Sequence, residues 1–216
     1  MLGKAHITIG MASALTVMMP ESMPAALPVI TGAAAGCLIC DIDCDSPREK
    51  SDTSSYRILA AIIVVISLLA DRAYGLGLIR AGSSGGTLPD GELPLSMWQT
   101  AGQNGPVMVC TGIAVFALTV TFANVSSHRG FSHSLLAMAL EAGALYLIFP
   151  QTAAAFMTAF ASHLVLDLTN KKPVRILYPV KKGFCLGWFY ADRLADKVCA
   201  AIGGIWLIVM ALTLIL

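Results

Sequence analysis

Seven apolar segments leave this chain few folds. They run over about 5–19, 24–40, 57–74, 105–124, 132–149, 152–169 and 199–216. Several stay free of charge for roughly 15 to 20 residues, the length a helix needs to cross a bilayer. Composition agrees: 56% of the residues are hydrophobic and 12% charged, whereas a soluble domain carries about a quarter charged residues. Mean hydropathy is +0.75. The chain therefore reads as an all-α polytopic membrane helix bundle of about five to seven transmembrane segments, one integral membrane domain over 1–216. A net charge of +1 argues against a nucleic-acid protein, which would show a basic face.

The first segment is short. Fifteen residues span only about 22 Å, less than the roughly 30 Å hydrocarbon core. Pro20, Pro24 and Pro28 mark the break into the second segment, and the two form a candidate hairpin that enters and returns without crossing. Lys4, the run from Ile7 to Met19 and the small residues of 22–26 imitate a signal peptide, but a second apolar run follows at once. Gly32-Ala33-Ala34-Ala35-Gly36 has the small-xxx-small spacing that lets helices approach closely. Six cysteines, most in or beside apolar runs, read as small hydrophobes; Cys37-x-x-Cys40 with Cys44 is read as packing rather than as a cluster site. A Gly-rich stretch, 75–104, reads as a flexible loop, and 170–198 as a basic loop whose Tyr178, Trp188, Phe189 and Tyr190 suit a membrane interface.

If all seven segments cross, twelve of the fourteen Lys and Arg fall on one side, leaving Arg72 and Arg80 on the other. The positive-inside rule places the twelve in the cytoplasm. A re-entrant first hairpin leaves this parity unchanged. The same count puts all four histidines on that side. His6 opens the first segment, His128 and His133 flank the turn between the fourth and fifth, and His163 lies near the end of the sixth. Asp41, Asp43 and Asp45 follow the second segment, and Asp167 follows His163 by four residues.

These residue types suit a metal. His163 and Asp167, at i and i+4, share one helix face and can reach one ion. Ser132 reads as an N-cap before His133, and Gly130 permits a turn that brings His128 and His133 together. Asp41 and Asp43 alternate in an extended segment. Four imidazoles with two to four carboxylates are enough for one or two ions, best Zn²⁺, with Mn²⁺ or iron as alternatives. Arg129 stands where it can hold a phosphate oxygen. A single intramembrane histidine is ordinarily a packed, hydrogen-bonded residue; four on one side, each near an Asp or another His, point to function. Asp45 before Ser46-Pro47 reads as turn chemistry, and Lys171 and Lys172 as headgroup contacts.

His6 with Gly10, Asp41-x-Asp43, His128-Arg129-Gly130-Phe131-Ser132-His133-Ser134 and His163-x-x-x-Asp167 together resemble the YdjM-like family. That family comprises bacterial inner-membrane proteins described as metal-dependent hydrolases, takes its other name from a LexA-regulated member, and is thought distantly similar to zinc-dependent phospholipase C and P1-type nucleases. The resemblance runs from the N-terminus to about residue 180 and is most specific in the His-Arg-Gly block; 75–104 looks like an insertion. It implies metal-ligand roles for His6, Asp41, Asp43, His128, His133, His163 and Asp167.

The resulting expectation is a hydrolase of a phosphoester or lipid-linked substrate, working at the cytoplasmic face of the inner membrane, with membrane lipid as its partner. Arg129 steadies the anionic group, and Asp43 or Asp41 serves as base. One rival is a divalent-metal or proton transporter, which needs ligands near the midplane; the far side offers carboxylates such as Asp71, Asp90, Glu92 and the outlier Glu141, and no histidine. The other is a non-catalytic membrane protein with a structural metal, binding a soluble regulator through the basic loop.

Overall fold

The computed structural model describes residues 3–43, 105–127, 129–188 and 193–214. The segment expected at 57–74, the 75–104 loop and His128 lie outside the described residues, as does the side chain of Asp43. Six α-helices are described: α1 (Gly3–Met18), α2 (Met23–Ile39), α3 (Gly105–Val125), α4 (Leu135–Ile148), α5 (Pro150–Thr169) and α6 (Arg193–Thr213). Short 3-10 turns occupy Cys40–Asp43 and Phe131–His133. Among the described residues, four stretches are long and apolar enough to cross a membrane: Ala25–Ile42, Val107–Val125, Pro150–Thr169 and Leu194–Thr213.

Local chemistry sets the helix starts. Ser22 caps α2, its hydroxyl accepting from the Ala25 N–H at 3.4 Å. Pro24 stands in the first turn, where a missing N–H costs nothing. The helix then continues through Pro28 rather than beginning after it. The fifth apolar segment starts later than its hydropathy suggests. Its cap is Ser134, which accepts from the Ala137 N–H at 3.1 Å, so α4 opens at Leu135 and Ser132 belongs to the preceding 3-10 turn. The last helix starts earlier, at Arg193, because a charged turn containing Asp196 and Lys197 precedes its apolar run.

Helix α5 is the centre of the bundle, packing on α1, α2 and α4; α3 pairs with α4, and α6 lies along α1. The contacts are close because the residues between helices are small. A Cβ on Gly32 would run into the Thr152 carbonyl, and one on Gly36 into that of Phe156, so the glycine stripe of α2 lies directly on the α5 backbone. A Cβ on Gly10 would meet the Cys37 sulfur. One core cluster joins Ala14, Ala33, Cys37, Ala155 and Ala159 across α1, α2 and α5; a second joins Cys40, Phe131, Ala137, Phe156 and Phe160. Large apolar side chains point outward instead, among them Leu118 on α3 and Ile205 on α6. Alanine inside and leucine outside is the pattern of a bundle whose solvent is lipid.

The basic loop is folded onto the end of this bundle. Val174 and Phe184 form an isolated antiparallel bridge. Leu186 and Trp188 donate backbone N–H groups to Leu168 and Thr169, while Leu135 donates to Ile176. Trp188 is exposed as an interfacial anchor would be, but Tyr178 packs edge-on against Phe131, with ring centroids 5.6 Å apart. Phe189 and Tyr190 lie outside the described residues.

Candidate metal centre

The helix ends place the chemistry. His6 is in the first turn of α1, Asp41 in the 3-10 turn that ends α2, His133 in the turn before α4, and His163 and Asp167 in the last turns of α5. All five therefore lie at one end of the bundle. At the end of α2 the backbone tightens, and Asp41 takes φ −89° and ψ 16°, outside the helical region.

Five side chains converge there. His6 Nε2 lies 3.6 Å from Asp167 Oδ1, and His133 Nε2 lies 3.3 Å from Asp167 Oδ2. Asp41 Oδ1 is 3.6 Å from both His133 Nε2 and His163 Nε2. His163 Nε2 is 4.0 Å from Asp167 Oδ2. The rings of His6 and His163 stack at 3.7 Å, 17° from parallel. The three histidines and Asp167 are 0–2% exposed and Asp41 17%.

Donor chemistry and spacing fit a single divalent ion. With metal–ligand bonds of about 2.1 Å, neighbouring donor atoms stand roughly 3.0–3.4 Å apart, close to what is seen here. Two groups of three meet the requirement, His6–His163–Asp167 and Asp41–His133–His163, each with its donor atoms within 4.8 Å of one another. They share His163. Its Nδ1 lies 3.1 Å from the Cys37 carbonyl, an acceptor, so Nδ1 carries the proton and Nε2 is left with one lone pair. One lone pair serves one ion, and among the described residues His163 Nε2 has no hydrogen-bond partner. Asp41 and Asp167 bring two negative charges into the cluster; Arg129 stands against Asp167, and a divalent cation would replace the proton on His133 as the charge facing both carboxylates.

The surrounding shell aims the ligands. Ser132 Oγ sits 2.8 Å from His133 Nδ1. Burial opposes the charged form of His133, but hydrogen bonds to Asp167 and Asp41 outweigh it and raise the metal-free imidazole to about 9. Arg129 donates from Nη2 to Asp167 Oδ1 at 3.2 Å and from Nη1 to the Lys172 carbonyl at 3.0 Å. The expected phosphate-gripping arginine thus has both outer nitrogens on the protein. The positive φ of the turn falls on Arg129, at 59°, and not on Gly130. Gly130 is needed for space, since a Cβ there would strike the Ser127 carbonyl.

Six sequence-derived candidates, His6, Asp41, Arg129, His133, His163 and Asp167, are thus brought together. The placement of His128 and of the Asp43 side chain lies outside the described residues. Ser132 went unrecognised as a histidine partner because Ser before a helix reads as a cap; two serines flanking His133 are the signal that both roles are filled. The Cys37 and Lys172 carbonyls carry no signal in sequence.

A bundle with lipid-facing leucines and a buried His/Asp cluster at one end defines a polytopic membrane protein with a candidate metal centre. The chain belongs to the YdjM inner membrane protein family, whose sequence model matches residues 1–216. It is accordingly an inner-membrane protein. No curated protein and no solved structure matches the chain.

Proposed function

We propose that this protein is a membrane-embedded metal-dependent hydrolase acting on a phosphoester or lipid-linked substrate at the cytoplasmic surface of the inner membrane. The observation that carries the reading is the convergence of His6, Asp41, His133, His163 and Asp167 from four separate stretches of chain. Structural packing alone does not call for three imidazoles and two carboxylates in an apolar bundle, where each is costly. The ion is Zn²⁺ by ligand preference, with Mn²⁺ as the alternative, and a single ion is favoured by the shared His163. When bound, it supplies Lewis-acid polarisation of an ester or phosphoester and activation of water.

The chain's own groups do the rest. His6, His133, His163 and Asp167 hold the ion from the buried side. Asp41, the one partly exposed member, marks the side from which substrate enters. Arg129 holds Asp167 in position, and the exposed Lys171, Lys172, Lys181 and Lys182 surround the approach with positive charge suited to an anionic headgroup. With the basic loop in the cytoplasm, the four long helices cross, and the shorter α1 and α4 bring the topology into the five-to-seven-span range where the bilayer thins to meet them.

The test is metal content of detergent-purified protein by inductively coupled plasma mass spectrometry, beside His133→Ala and His163→Ala. One equivalent of Zn or Mn, lost in both variants, supports the centre. Release of phosphate or headgroup from phospholipid and lipid-phosphate substrates, lost on chelation, then supports hydrolysis. Protein without metal after chelator-free purification in supplemented buffer sinks the reading.

A further inference from the structure

Glu141 is the one acidic side chain of α4, and the metal cluster does not use it. It stands seven residues past the Ser134 cap, two turns and about 10 Å deeper into the bundle. Its side chain is 1% exposed, and among the described residues neither carboxylate oxygen has a hydrogen-bond partner. Ala137 and Ala144, four residues before and three after, share its helix face and are themselves buried. Among the described residues, the elements packed against α4 offer no free counter-charge. The described α3 carries no charged residue, and the titratable groups of α5 are His163 and Asp167, both in the metal cluster. From the end of α2, Cys40 lies within electrostatic reach of Glu141, but its thiol is donated to the Gly36 carbonyl. Asp41 would repel a carboxylate.

An ionised carboxylate buried in apolar surroundings without a partner is costly, and such a group takes up a proton instead. A neutral glutamic acid still packs worse than leucine against alanines, so packing does not account for it. We propose that Glu141 is a second functional site, an intramembrane carboxylic acid that binds and exchanges one proton, separate from the metal centre and about two helical turns beneath it. Its ligand is the proton. Its chemical signature is reaction with an apolar carbodiimide. The carboxyl oxygen bonds to the central carbon of the reagent, the acid proton passes to a reagent nitrogen, and acyl migration leaves a stable N-acylurea. Nothing is oxidised, reduced or expelled.

The experiment uses the full chain in detergent after chelation, so that its outcome is independent of metal. Dicyclohexylcarbodiimide and a water-soluble carbodiimide are applied in parallel and the adducts located by peptide mass spectrometry. The expected result is an N-acylurea on Glu141 from the apolar reagent alone. Infrared difference spectra of wild type against Glu141→Gln should show loss of a protonated-carboxyl C=O band. Absence of the adduct, equal labelling by the water-soluble reagent, or an unchanged infrared band overturns the proposal. Should Glu141→Gln fail to fold, the labelling of the wild type decides alone.

Discussion

Ser132 Oγ lies 2.8 Å from Nδ1 of His133, its neighbour in the chain. That contact turns Nε2 of the same ring toward Asp167 at 3.3 Å and Asp41 at 3.6 Å. A hydroxyl on the outer nitrogen fixes the orientation of a ligating imidazole, and losing such a partner typically costs about 10–100-fold in metal affinity. Ser132→Ala is expected to show a loss in that range by chelator competition, with the fold intact. Unchanged affinity would mean that packing alone aims the ring.

Arg129 makes a related prediction. Its guanidinium ties Asp167 to the Lys172 carbonyl, and so ties the end of α5 to the basic loop. Arg129→Ala takes the guanidinium from a buried carboxylate that keeps its contacts to His133 and His6, a loss on the order of 2 kcal/mol for the metal-free protein. Thermal unfolding of the chelated variant should fall by several degrees, and added metal should recover much of it. A substrate-gripping arginine would instead leave unfolding unchanged and depress turnover alone.

The glycine stripe of α2 is a test of geometry. At Gly36 an added Cβ would enter the Phe156 carbonyl, and α5 carries both His163 and Asp167. Overpacking of this kind costs about 1–3 kcal/mol. Gly36→Ala is expected to lower the melting temperature and metal occupancy together. Gly204→Ala, with nothing within 4 Å of the new Cβ, should do neither.

His133 sets a pH dependence. Its folded, metal-free value is raised to about 9, above an unfolded value of about 6.5. A raised value contributes stability that is fully present below about pH 6.5 and is lost as pH rises through about 9, a change on the order of 3 kcal/mol. Unfolding of chelated protein should weaken across that window and flatten in His133→Ala. Metal affinity runs the opposite way, since the proton on His133 competes with the ion. Titration calorimetry in buffers of different ionisation heat should show one proton released per ion near pH 7.5.

Much of the bundle was legible in sequence because hydropathy reports helices directly. The first, second, fourth and sixth apolar segments match α1, α2, α3 and α5 within a few residues. The misplaced starts have opposite causes. At α6 hydropathy misses the polar first turn that holds Asp196 and Lys197; at α4 it takes in residues 132–134, which precede the helix that Ser134 caps. For the centre, the i, i+4 spacing of His163 and Asp167 and the shared side of the four histidines were readable. The role of Arg129 was not. Its partner is the backbone of Lys172, forty-three residues away, and a carbonyl leaves no trace in the sequence.

His6 and Asp167 are about 160 residues apart in the chain and 3.6 Å apart in the fold. Synthesis runs from the N-terminus at about 5–20 residues per second, so the histidine waits roughly 8–30 s before its carboxylate leaves the ribosome. During that interval α1 has neither α5 to pack on nor an ion to hold. The first of the described helices is thus among the last to be locked, and capture of the proposed ion would be the step that marks a finished molecule from an unfinished one.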